Sequence, residues 1–464
     1  MTRSGLKLAV VFAAGVWAAA FCPAADVQPF VQGDRIAFIG DSITHGGSYH
    51  SNIYLFYATR FPGKPFKVYN CGISGDTAPG ANERFDEDVA ALNPNKATIM
   101  LGMNDAWAWL FNPDEPVESR RNGLEKAYAT YTTSMDQLAA RLKEMGCETI
   151  FIKPSIYDQT AELEKPNLMG KNDLLGRYSD YIDTLADQYG GSVVDFRMTM
   201  MRVNERLQAV DPAATVVGQD RVHPAAPGHL VMTYAFLKAQ GMPSLVSSVL
   251  IDGATGQVGE QENCWVEDVV VSPDGIAFGC RENALPFPVS DNQMVALDWV
   301  PFQQELNRQM LRIENLPAGR YALKIDGRSV GEWSSGELEK GINLSGNRKT
   351  PQHAQAMEVK AVNDERLEVE DKLRAVMHVR HTVIRKLDPP VDATNLEETG
   401  KALLDHLAKD EGKPWNGYVQ QQIRKYLENV SQVKELGERR EALLEKTWKV
   451  NQPRPHAWEL VRMD

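Results

Sequence analysis

Cysteine is scarce in this chain, five in 464 residues, and no two of them stand in a C-x-x-C pair. That absence removes the metal ribbons and dithiol redox centres that depend on such spacing. Positive charge is also short: 50 Lys and Arg face 62 Asp and Glu, a formal charge of -12. With no local basic patch to offset the deficit, a nucleic-acid partner is disfavoured. No internal repeat and no low-complexity tract occurs, so a solenoid is excluded. After the first 25 residues no apolar run is long enough to cross a bilayer.

What remains is the make-up of a globular protein, 43% hydrophobic and 24% charged. The length exceeds one ordinary core, and roughly 150 residues per domain points to two or three units. Arg3 and Lys7 precede an apolar run over residues 8–21, followed by Cys22-Pro23-Ala24-Ala25. This pattern predicts an export signal over residues 1–25, cleaved near Ala24 or Ala25, and a periplasmic or secreted mature protein. The bulky Phe21 directly before Cys22 argues against a lipoprotein cysteine. Of the other four cysteines, Cys264 and Cys280 flank a predicted hairpin where an oxidising compartment permits a disulfide, although the spacing does not decide whether one forms. Cys71 follows one predicted strand and Cys147 precedes another, at opposite ends of a parallel sheet, so they are not expected to pair.

From residue 26 to 243, short apolar strands alternate with amphipathic helices. Strands are predicted at 35–39, 66–69, 97–101, 149–153 and 192–196, with helices near 49–60, 83–92, 125–145, 172–189, 197–209 and 227–239. Near-continuous apolar strands separated by helices predict an α/β fold, a parallel sheet covered on both faces. Residues 244–350 read as a β-rich unit, with strands at 265–271, 276–280, 310–313 and 321–325 and turns at Pro273-Asp274-Gly275 and Asp326-Gly327. Residues 351–464 read as a charged helical region interrupted by Pro389-Pro390 and Pro414.

Four local patterns stand out, three of them just past predicted strand ends, where open α/β sheets bind ligands. Gly40-Asp41-Ser42-Ile43-Thr44 ends the first strand, and a serine on a strand-to-helix turn is exposed with its own N–H beside it. Asn70-Cys71-Gly72-Ile73-Ser74-Gly75 follows the second, and Gly102-Met103-Asn104-Asp105 the third. Asp220-Arg221-Val222-His223 precedes the last helix. An Asp three residues before a His can accept its Nδ1–H and leave Nε2 facing a hydroxyl. Gly72 lacks a Cβ that would block approach to its N–H, and Asn104 offers a side-chain amide. Taken singly, each has an ordinary account: a strand-ending turn, a turn glycine, a helix cap, a histidine bordering a helix with Pro224 at its start. Their coincidence in chain order, three of them at strand ends, favours a site for acyl transfer.

These four blocks resemble those of the SGNH (GDSL-type) hydrolase family, over about half the chain. The resemblance implies a three-layer α/β/α sandwich with a flavodoxin-like sheet, Ser42 as nucleophile, Asp220 and His223 completing the triad, and an oxyanion hole from Ser42, Gly72 and Asn104. The later regions look like extensions carried by some bacterial members. Asp41, Trp107 and Trp109 are candidates for substrate binding, the indoles as platforms for a sugar ring, although either Trp could simply be core. His45 and His50 read as polar residues beside the nucleophile, His229 as a local packing or capping residue, and His378 and His381 as a solvated helix face; no metal set is expected.

The reading is a serine esterase without metal or organic cofactor, removing acetyl or similar small acyl groups from a carbohydrate. The alternatives are a lipid esterase, lysophospholipase or thioesterase on the same site, and a glycan-binding protein whose hydrolase domain has decayed. Its partner is an acylated carbohydrate or other small ester, with no nucleic acid and no stable membrane insertion; the oligomeric state is open. Which ester or polymer it takes, and what the β-rich and helical regions do, is also open.

Overall fold

The computed structural model describes residues 27–409 and 417–463; the expected export signal lies outside them. Strands β1 (Arg35–Gly40), β2 (Lys67–Gly72), β3 (Lys96–Met100), β4 (Glu148–Lys153) and β5 (Ser192–Asp195) form a parallel sheet in the order β2-β1-β3-β4-β5. This is the flavodoxin-like order, with a switch in winding direction beside β1. The strands are largely buried because both faces are covered, and in β3 all five residues are. Helices α1 (Ser42–His45) and α2 (Ser48–Arg60) follow β1. Helices α3 (Val117–Glu144) and α4 (Lys171–Tyr189) pack on each other, while α6 (Ala226–Ala239) packs on α2 and α5 (Phe196–Gln208).

The helix expected near 83–92 is broken into Ala78–Glu83, Phe85–Asp88 and a turn at Ala90–Leu92. Arg84 sits at the break with its guanidinium buried between Asp76 and Asp88, so a tertiary ion pair overrides local helix propensity.

The β-rich region holds two sheets with a core of their own, including Ile251, Phe278, Leu323 and Trp458. One, in the order β13-β10-β6-β7, contains β6 (Leu245–Asp252), β7 (Val258–Glu262), β10 (Arg308–Glu314) and β13 (Ile342–Asn343). The other, in the order β12-β11-β14-β9-β8, contains β8 (Cys264–Ser272), β9 (Gly275–Glu282), β11 (Arg320–Ile325), β12 (Arg328–Ser334) and β14 (Pro455–Arg462). The last of these lies at the end of residues 351–464, which the sequence reads as a helical region without a strand. After the helices the chain returns, and β14 becomes the middle strand of the second sheet. Cys264 and Cys280 are free thiols, as are Cys71 and Cys147. The first two lie diagonally, since Cys264 stands opposite Glu282 and Cys280 opposite Val266.

Between β13 and β14 run the arm helices α7 (Pro351–Thr382), α8 (Leu396–Lys409), α9 (Gly417–Asn429) and α10 (Val433–Val450). Helix α7 packs along α10 and α9 and reaches α2 and, in the parallel sheet, β2. Arg374 of α7 donates to both carboxylate oxygens of Asp88 and to the Gly72 carbonyl. His378 is therefore buried, and the His381 side chain is largely enclosed, rather than forming a solvated face. An apparently charged helix can be buried when its polar residues find partners on the surface it covers.

Candidate active site

The sharp turn after β1 sets the position of Ser42. A Cβ on Gly40 would lie 2.8 Å from the Met100 carbonyl oxygen and 2.2 Å from Thr44 Oγ1, so only glycine lets the chain turn there. Asp41 caps α1, its Oδ1 accepting the Ile43 N–H at 3.1 Å. It is 3% exposed, which makes it a structural cap and removes it from direct substrate contact. Burial pushes its carboxyl up to about 6.

Ser42 Oγ stands 2.7 Å from His223 Nε2, although 181 positions separate them in sequence. The opposite ring nitrogen, Nδ1, is 2.6 Å from Asp220 Oδ2. The other oxygen of Asp220 accepts the backbone N–H groups of Val222 and His223, each at 3.0 Å. One carboxylate thus fixes both the loop and the ring tautomer, with Nδ1–H toward Asp220 and the Nε2 lone pair toward the hydroxyl. Burial opposes ionisation of Asp220, but the hydrogen bonds from His223 and Val222 outweigh it and hold the carboxyl below its ordinary value. The Asp220 hydrogen bond raises His223 above its ordinary value against the effect of burial.

Arg221, between these two residues, was not singled out in the sequence. It adopts a left-handed backbone with φ 69°. Its buried guanidinium donates to the carbonyls of Asp158, Ala161, Leu163 and Lys165. A non-glycine residue in that conformation needs such anchoring, and this one clamps the histidine loop to the loop after β4.

Gly72 does not present a free N–H to a substrate. That N–H donates to Asn70 Oδ1 at 2.9 Å, and a Cβ would come within 2.2 Å of the His45 backbone nitrogen. The glycine is required for close packing of β2 against α1. Gly75, three residues on, lies at φ 79° in a turn with open space where a Cβ would be. Among the described residues its N–H meets no hydrogen-bond partner. Asn104 Nδ2 donates to the Asp76 carbonyl at 2.9 Å, which ties the third block to this same turn.

The turn is gripped from two further sides. Ser74 donates its backbone N–H to His45 Nδ1 at 3.0 Å and accepts a hydrogen bond at Oγ from the Tyr418 hydroxyl at 2.7 Å. Burial, then the Arg374 charge, hold His45 well below its ordinary value, so the neutral ring can accept at Nδ1. His378 of α7 lies against both His45 and Tyr418. His50 is buried and stacks on Phe38, and His229 stacks on Tyr49, so both are core residues. Among the described residues no cluster of metal-ligating side chains occurs.

Ser42 and His223 open onto a cavity of about 770 Å³ whose far wall is built by α7 and α9. Trp107 and Trp109 are not brought to this cavity. Their rings stack on each other at 6.1 Å, Trp107 half-buried against the core and Trp109 exposed over Gly123.

Residues 38–231 match the model of the GDSL-like Lipase/Acylhydrolase family. An acetylxylan esterase of Geobacillus stearothermophilus is 28% identical over 225 residues, 45% of this chain and 94% of that protein. A solved structure described as a gut microbial diltiazem-metabolizing enzyme is 31% identical with a TM-score of 0.85. That similarity covers 95% of this chain and 100% of the other. Among the described residues no helix is long and apolar enough to cross a membrane.

Proposed function

The chain belongs to the GDSL-like lipase/acylhydrolase family of ester hydrolases, and on that premise we propose that it is an exported serine esterase deacetylating a carbohydrate. The observation that carries the reading is the 2.7 Å approach of Ser42 Oγ to His223 Nε2, with Asp220 behind the ring. As His223 takes the hydroxyl proton, Ser42 Oγ attacks the ester carbonyl. The tetrahedral oxyanion is met by the N–H groups of Ser42 and Gly75 and by the Asn104 amide, each worth about 2.7–4 kcal/mol in such sites. His223 then gives its proton to the departing sugar oxygen as the C–O bond breaks, releasing the free hydroxyl and leaving acetyl on Ser42. Water activated by the neutral ring releases acetate and restores the serine.

The acetyl and carbohydrate assignments draw support from the acetylxylan esterase relative. Export is supported by the basic start and apolar run of residues 1–25. The test measures acetate released from acetylated xylan, pectin and peptidoglycan fragments beside nitrophenyl esters of increasing chain length. Acetate from a polysaccharide, lost in Ser42→Ala with the fold retained by circular dichroism, is the expected result. Preference for long acyl chains overturns the assignment, and full activity in Ser42→Ala overturns the nucleophile.

A further inference from the structure

The wall opposite Ser42 belongs to the helical arm, outside the segment that matches the family model. Glu368, Asp371 and Lys372 come from α7, and Gln421, Gln422 and Lys425 from α9. On each helix these positions are spaced by three or four residues or adjacent, so each set forms one helical face. Asp371 Oδ2 and Lys425 Nζ meet at 2.6 Å and join the two faces into one shelf.

Gln422 is only 2% exposed, yet it lines the cavity and its Oε1 has no hydrogen-bond partner among the described residues. A buried amide oxygen left unpaired is costly, and a donor reaching it through the cavity would relieve that cost. The neighbouring charges balance, with Glu368 and Asp371 against Lys372 and Lys425. A balanced shelf gives neither an anion nor a cation a net attraction, while its close mixture of donors and acceptors matches groups that are both at once. Vicinal hydroxyls have that property. The shelf shares a cavity with both the nucleophile and the base, so it can bind the alcohol half of an ester while the acyl carbon sits on Ser42.

We propose that this face of the arm is the alcohol subsite and that it takes a neutral polyhydroxylated group, a sugar unit of an acetylated oligosaccharide. The inference rests on the reading of Ser42 as a carbohydrate-esterase nucleophile. A sugar hydroxyl donates to Gln422 Oε1, and its neighbours bridge Asp371, Lys425 and Gln421. The arm thereby sets which alcohol is released, while the sheet-end loops perform the bond cleavage.

The experiment compares kcat/KM for acetylated xylobiose with that for ethyl acetate, two esters with the same acyl group. It uses the full chain and its Gln422→Leu, Lys425→Met and Glu368→Gln variants. The ratio is expected to fall at least tenfold in the first two, through KM for the sugar ester. Gln422 is buried, whereas Lys425 retains 28% side-chain exposure, so the second variant keeps the test open should the first not fold. Folded variants that hydrolyse both esters with the parent ratio overturn the alcohol subsite alone. A parent enzyme that cleaves ethyl acetate but no sugar acetate overturns the carbohydrate reading, and the ligand class of the shelf with it.

Discussion

The Tyr418 hydroxyl donates to Ser74 Oγ at 2.7 Å across 344 positions of sequence. Ser74 also binds His45, three residues after Ser42, so a helix of the arm is linked through one serine to the turn that carries Gly75. Tyr418→Phe removes the donor and keeps the ring. A hydrogen bond of this kind contributes about 1 kcal/mol to stability, and with that same amount spent on positioning the turn its loss predicts a fall of roughly fivefold in kcat. Stopped-flow or steady-state assay of nitrophenyl acetate, beside a thermal melt, checks it; unchanged kcat rejects the positioning role.

Proton transfer gives a prediction with a definite sign. His223 must be neutral to act as base, and the Asp220 hydrogen bond raises it above the ordinary 6.5. The acid limb of kcat/KM is therefore centred above pH 6.5, with activity lost as pH falls through that midpoint. Asp220→Asn removes the leading cause, which moves the limb to lower pH and lowers the plateau by about 10²–10⁴. A parent profile centred below pH 6 would contradict the geometry.

The two glycines of the second block should part company on substitution. Gly72→Ala drives a Cβ into backbone of α1 that cannot swing away, at a cost of about 1–3 kcal/mol or more. Gly75→Ala meets no neighbour within 4 Å and bears only the backbone strain of φ 79°, about 1–2 kcal/mol. Melting temperatures should therefore fall further for Gly72→Ala. Equal melting points in the two variants would refute the packing role.

Arg374→Met tests how the arm is held. It leaves buried Asp88 with Arg84 as its remaining cation and frees the Gly72 carbonyl. Removing one partner from a buried pair costs about 3–5 kcal/mol. Urea unfolding should record that loss, together with lower activity as the wall loosens. A loss below about 1 kcal/mol would show that the pair carries little.

The parallel sheet was legible because its strands are buried on both faces and read as short apolar-rich runs alternating with helices; β1 and β4 differ from their expected limits by one residue. Ser42, Asp220 and His223 were legible because each depends on residues within a few positions of itself. Which glycine presents its N–H was not legible, since Gly72 and Gly75 differ only in what packs beside them. Burial of His378 and the approach of Tyr418 to Ser74 follow from the docking of the arm, which leaves no periodic trace in either segment. The strand β14 did carry a trace, with buried residues alternating from His456 to Leu460. Its position after four helices concealed it.

The arm leaves from β13 in one sheet and returns as β14, which sits between β9 and β11 at the centre of the second sheet. During synthesis that sheet has a gap at its centre until residues 455–462 have left the ribosome. The arm until then is tethered at one end only, free to swing off the catalytic loops. The surface of the arm that faces Ser42 is therefore among the last parts of the cavity to be fixed in place.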